Sequence, residues 1–174
     1  SLLNENIVEK GIQDPAKILD SMREQIIKSL KQKGEIGENK DGMDMALCRY
    51  DPNHKTVEYS GAYNPLLHIR NDEINSIKAN NQPVAFYRGD MKPFTKQTLK
   101  VQSGDMIYIF SDGFADQFGG PHGKKFMRKR FRELMVQIAS LPASGMEEAL
   151  ASAFDDWRGS EEQVDDVLVI GVRI

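Results

Sequence analysis

One cysteine in 174 residues, Cys48, leaves no partner for an internal disulfide and fits a reducing compartment. Histidine is nearly as scarce. His54, His68 and His122 are scattered, and no Ser-His-Asp or Cys-His set for nucleophilic catalysis can be assembled from them. Cys48 lies in an alternating strand pattern and reads as a small core residue. Positive charge is not in excess: 23 Lys and Arg stand against 26 Asp and Glu, a net charge of −3, which argues against nucleic acid as a partner. No apolar run approaches the ~20 residues that span a bilayer, and no secretory leader is visible. The segment is therefore expected to be cytoplasmic and to make no membrane contact; a longer parent could still be anchored through preceding regions. With no repeat, low-complexity stretch or internal linker, residues 1–174 read as a single domain.

What is present is a short apolar run with an acid at its end. Ile107 to Phe110 suits a buried strand, and Ser111-Asp112-Gly113 breaks it. Asp112 thus sits at the rim of a core, where a rigidly held carboxylate suits a metal. Gly113 would let the backbone approach whatever Asp112 binds. The plainer reading makes Asp112 the cap of a turn. The C-terminal run Gln163 to Ile174 is rich in β-branched residues and opens with Asp165-Asp166; it reads as a central strand. Paired antiparallel with 105–110, it would bring Asp112 and Asp165 to one sheet edge. Converging carboxylates repel unless a cation or proton intervenes, and an oxygen-only set points to Mg²⁺ or Mn²⁺.

Elsewhere the pattern alternates helices and hairpins. Residues 1–10 have helical spacing without a cap, and Asp14-Pro15 opens an amphipathic helix to about Lys33, stopped by Gly34. A polar loop over 35–40 follows. Strands are expected at 43–50 and 56–59 around Asp51-Pro52-Asn53, at 66–70 and 74–77 around Asn71-Asp72, and at 93–101. Asp41, Asp44, Asp51, Asp72, Asp90 and Asp105 read as turn acids. Phe118 to Gly123 reads as a flexible loop, with approach to a phosphate as the sharper alternative. Helices are expected over 124–139 and 145–157. The first carries Lys124, Lys125, Arg128, Lys129, Arg130 and Arg132 on a solvated face that could also draw in a phosphoprotein.

Ile-Phe-Ser-Asp-Gly-Phe-Ala-Asp (109–116) followed at the end by Asp-Asp-Val-Leu-Val-Ile-Gly-Val (165–172) resembles the metal-dependent, PP2C-like (PPM) serine phosphatases. The similarity is nearest to their bacterial SpoIIE-like branch. Gly61 to Leu67 looks like that branch's Ala-Gly-His-Asn-Pro-Pro-Leu stretch, and Asp41 to Leu47 fits the strand before it. The resemblance implies an α+β layered sandwich of mainly antiparallel sheets flanked by helices. It also implies hydrolysis of phosphoserine or phosphothreonine at a two-metal site holding Mn²⁺ or Mg²⁺. Asp112 and Asp165 carry over as metal ligands, with Gly113 beside them and Asp166 as an auxiliary ligand or in support; Asp116 is a candidate for an extra metal. No side chain carries over as a covalent catalyst.

Departures accompany the match. The family's early Gly-Asp strand and Asp-x-x-Gly-His-Gly motif are missing, Ala62-Tyr63 stands at the usual Gly-His, and the Thr after the last aspartate pair is lacking. The chain reads as the C-terminal part of a phosphatase domain, incomplete on its N-terminal side and weakly active or inactive alone. Its expected partner is a phosphorylated protein, for which a STAS-type anti-sigma antagonist is a candidate. Uncovered strand edges lead to an expected dimer or higher oligomer. The alternative is a non-catalytic signalling module that binds a STAS-type partner. A haloacid-type phosphatase is rejected, because its second Asp would fall at Phe114.

Overall fold

The computed structural model describes residues 1–32, 42–87, 89 and 91–174. Gly34, the 35–40 loop, Asp41 and Asp90 lie outside them. The chain forms two compact units, residues 1–66 with 77–102 and residues 67–76 with 103–174.

The first unit packs helices on an antiparallel sheet. α1 (Leu2–Asn4) runs into a wider π turn (Glu5–Glu9), and the Ser1 side chain accepts from the Asn4 N–H at 3.3 Å, so the opening turn is capped after all. α2 (Pro15–Ser29) starts as expected. Asp14 accepts from the N–H groups of Ala16 and Lys17, satisfying donors that the first helical turn leaves open. The helix ends four residues early, and Lys31 turns into the left-handed region at φ 51°. Strands β1 (Met45–Asp51), β2 (Thr56–Ala62) and β5 (Gln97–Lys100) form the sheet in the order β1-β2-β5. Ile18, Leu19 and Met22 of α2 bury against Ala62, Val84 and Phe94. The expected 93–101 strand is shorter because Phe94 leaves the ladder for this core, its N–H bonded to Asp20.

Cys48 lies on β1 opposite Tyr59, and burial pushes its thiol up to about 12. It is thus held as a thiol, not a nucleophile. Because only the thiolate reacts, alkylation of the folded chain by iodoacetamide at pH 8 should be at least about a hundredfold slower than that of a free thiol. Mass spectrometry over time checks this, and denaturation should restore the rate.

The second unit carries the site. β3 (Leu66–Arg70), β4 (Glu73–Ile77), β6 (Met106–Phe110) and β9 (Val169–Arg173) make a sheet in the order β4-β3-β6-β9. Asn71 and Asp72 both have positive φ, 49° and 62°, the geometry of a tight hairpin turn. Leu67, Ile69, Met106 and Tyr108 face a core completed by Phe114, Phe126, Phe131, Met135 and Ile138. Helices α4 (Arg128–Ile138) and α5 (Ala143–Arg158) cover it. The α+β, mainly antiparallel architecture is thus as expected.

Four local expectations change. β9 is an edge strand, not a central one, and Leu168, Ile170 and Val172 along it are exposed. β-branched residues favour a pleated surface but do not specify a neighbour on each side. The 118–123 loop is a tight ribbon, β7 (Phe118–Gly119) pairing with β8 (Lys124–Lys125), so α4 begins four residues late. Gly119 and Gly120 meet Trp157 of α5, whose carbonyl accepts from the Gly120 N–H at 2.7 Å; a Cβ on Gly119 would collide with that carbonyl. The glycines therefore serve helix packing. Asp105 is no turn acid. It is 1% exposed, accepts from Arg70 Nε at 2.8 Å and Nη2 at 2.6 Å, and lies 2.9 Å from His68 Nε2. A buried carboxylate requires such partners.

Candidate metal centre

The corner where β6 ends and β9 begins is built by backbone pairing. β6 and β9 run antiparallel, with Phe110 opposite Val169 and Met106 opposite Arg173. Beyond Phe110 the pairing continues through Ser111, whose N–H donates to the Leu168 carbonyl at 2.9 Å. The Ser111 hydroxyl donates to the Asp166 carbonyl at 2.8 Å and accepts from the Leu168 N–H at 3.0 Å. One serine thus clasps residues 166–168 on both sides. The antiparallel register and this clasp place the segments bearing Asp112 and Asp165 at the same end of the sheet, the pairing expected from the sequence.

Asp112 precedes the short helix α3 (Gly113–Asp116) in the N-cap position, yet its side chain makes no capping hydrogen bond. The plainer reading, a capping aspartate, is not realised. Asp165 and Asp166 are exposed, and Asp165 Oδ1 accepts from the Asp166 N–H at 2.7 Å, which fixes one of its oxygens. The local donor chemistry is carboxylate oxygen, suited to a hard divalent cation. Among the described residues no group of three or more His, Cys, Asp or Glu side chains gathers to hold a metal. Asp116 is committed elsewhere, to Lys125 Nζ at 3.0 Å.

Gly113 has a further reason beside the one read in the sequence. A Cβ there would collide with the backbone carbonyl of Asp166. The glycine lets the Asp166 backbone close on the Asp112 turn. Gly113→Ala should therefore cost about 1–3 kcal/mol of stability by overpacking. A calorimetric melt should show a drop of about 2–4 °C per kcal/mol for a chain of this size.

Sequence reasoning missed Ser111 as the clasp and the aromatic anchor beneath it. Serine at a strand end commonly bonds nearby backbone, and that was the available signal. Phe114, two residues after Asp112, is 2% exposed and packs its ring 5.0 Å from Phe126, 5.2 Å from Phe131 and 5.2 Å from Phe154. It pins the Asp112 turn to the core.

Comparison with solved structures shows the fold. The chain superposes on the SiaA-PP2C domain of Pseudomonas aeruginosa with a TM-score of 0.87 at 24% identity, covering 99% of this chain and 66% of that one. It matches the phosphatase domain of the cell fate determinant SpoIIE from Bacillus subtilis at a TM-score of 0.61 and 17% identity, covering 99% and 71%. The PPM Ser-Thr phosphatase MsPP from Mycobacterium smegmatis, in complex with cacodylate, gives 0.59 and 11%, covering 99% and 78%. The chain therefore spans just under two thirds of the SiaA domain. No curated protein sequence matches it. The profile of the family described as Stage II sporulation protein E (SpoIIE) matches residues 3–174, so the chain belongs to the SpoIIE family, whose fold is that of the PP2C-type phosphatase domains.

Proposed function

We propose that this chain is part of a metal-dependent protein phosphatase for phosphoserine or phosphothreonine, with Asp112 and Asp165 ligating a Mn²⁺ or Mg²⁺ ion and Asp166 beside them. The observation that carries this reading is the Ser111 clasp, which sets the two aspartate segments at one corner while leaving the Asp112 side chain without a capping role. When bound, the ion would polarise the phosphate and lower the pKa of an attacking water. The protein's part is to hold that charge: Asp112 and Asp165 supply anionic oxygens, Ser111 fixes the spacing of their backbones, and Gly113 keeps the turn closed. Two carboxylates leave coordination positions for water and phosphate, as Mg²⁺ sites commonly do. The substrate in this reading is a phosphorylated signalling protein, with a STAS-type anti-sigma antagonist as the first candidate to assay. The open edge of β9 is the surface on which self-association of this chain would form, and light scattering across micromolar concentrations tests that.

The test of function is hydrolysis of a phosphoserine peptide during titration with Mn²⁺ and Mg²⁺, on these 174 residues and on an N-terminally extended form. Slow turnover by the chain and fast metal-dependent turnover by the extended form are expected. Metal-independent rates, or none in either form, would defeat the phosphatase reading. The latter result together with retained partner binding would favour a signalling module.

A further inference from the structure

The second unit carries a basic groove at the sheet edge away from β9. Ile74 on β4 forms one wall and α4 the other, with Arg128, Lys129, Arg132, Glu133 and Val136 around an open volume of about 500 Å³. Arg132 Nη2 donates to Ser76 Oγ at 3.3 Å, which holds its guanidinium over the groove. Arg128 and Lys129 are exposed; Lys129 reaches Glu133 only at 4.0 Å, with both side chains largely in solvent. Arg130 stands apart, its guanidinium 4.5 Å over the Trp157 ring.

The cations at the start of α4 do not serve its dipole. The first turn of α4 contains Arg128, Lys129 and Arg130 and no acid. Cations at a helix N-terminus oppose its dipole, where acids would stabilise it. The chain as a whole carries a net charge of −3, so this face is opposite in sign to the rest of the molecule. β4 and β9 are the outer strands of the sheet, three spacings or ~14 Å apart, so the groove is separate from the Asp112 corner.

We propose that this groove docks an acidic segment of a partner protein, with one apolar residue seated over Ile74 and Val136 and acids on either side paired to Arg128 and Arg132. From Arg128 to Gln137 the groove is ~14 Å long, room for about four extended residues. Charge complementarity selects an acidic occupant, and the apolar floor selects a protein segment over a simple polyanion. The proposal does not depend on the metal assignment.

The test is fluorescence anisotropy of a labelled peptide, one leucine flanked on each side by two glutamates, titrated with the 174-residue chain at low and high salt. Binding should weaken with salt. The double substitution Arg128→Glu/Arg132→Glu should weaken it at least tenfold and Val136→Ser about threefold. Lys17→Glu/Lys28→Glu, an equal charge change on α2, should change it less than twofold. Arg128→Glu suits the helix dipole, and Arg132 is exposed beyond the first turn, so the groove variant should melt within about 2 °C of the parent, which separates lost docking from misfolding. Equal loss in the α2 variant, equal binding of a peptide with serine for leucine, stronger binding to phosphatidylserine vesicles, or no measurable binding would each overturn the proposal.

Discussion

Asp112→Asn and Asp165→Asn are each expected to lower metal-dependent phosphate-ester hydrolysis about a thousandfold in an N-terminally extended form of the chain. That factor corresponds to ~4 kcal/mol of lost transition-state stabilisation. Asparagine keeps the shape of aspartate but removes the anionic charge that a divalent cation needs. The Ser111 clasp uses the backbone of residues 166–168 and the Ser111 hydroxyl, and neither substitution touches those groups. The folded corner should therefore persist, and melting temperatures should move little. The loss should fall on metal affinity and rate together. Asp116→Asn should retain most of the activity, because Asp116 is paired to Lys125. Steady-state kinetics over a range of Mn²⁺ concentrations checks this. Rates within threefold of the parent in both Asp112→Asn and Asp165→Asn would remove these residues from the metal site.

The second large effect is on stability. Phe114→Ala should destabilise the chain by ~3–5 kcal/mol, the usual cost of emptying a buried aromatic position. Phe114 contacts three other rings, so neighbouring side chains cannot close the space without giving up their own packing. At about 2–4 °C per kcal/mol, the melting temperature should fall by roughly 10 °C. Phe114→Leu, which keeps most of the volume, should recover more than half of the loss. The position also ties stability to the site, since Phe114 follows the Asp112-Gly113 turn directly. The alanine variant should hold a metal more weakly even at temperatures where it remains folded. A melt within 2 °C of the parent would show that the aromatic cluster does not anchor the turn.

Much of the corner was legible because two apolar runs with an acid at the end of one and the start of the other leave few arrangements. Antiparallel pairing of Met106–Phe110 with Val169–Arg173 forces those acids to the same end. The hairpin at Asn71-Asp72 was legible for a similar reason, since both residues tolerate positive φ. What escaped was set by contacts distant in sequence. Asp105 looks like a turn acid after Ser103-Gly104, and only the fold reveals Arg70 and His68 across the sheet. Gly119-Gly120 looks like a mobile loop until Trp157 arrives from α5. The start of α4 was misplaced because Lys124 and Lys125 carry good helix propensity, yet pairing with Phe118 and Gly119 overrides it. The edge position of β9 was hidden for a different reason: the apolar face made by Leu168, Ile170 and Val172 reads as buried on composition alone.

The central claim is that Asp112 and Asp165 share one cation, and titration of the 174-residue chain with Mn²⁺, followed by electron paramagnetic resonance of the free ion, tests it most directly. One bound Mn²⁺ per chain is expected, weakened at least tenfold by Asp112→Asn and by Asp165→Asn separately, with Asp116→Asn binding as the parent does. Because both carboxylates would serve the same ion, the double variant should bind more weakly than either single one, with the two losses compounding on that one ion. Unchanged Mn²⁺ affinity in both single variants, or two ions per chain of which each single variant removes a different one, would contradict the shared site.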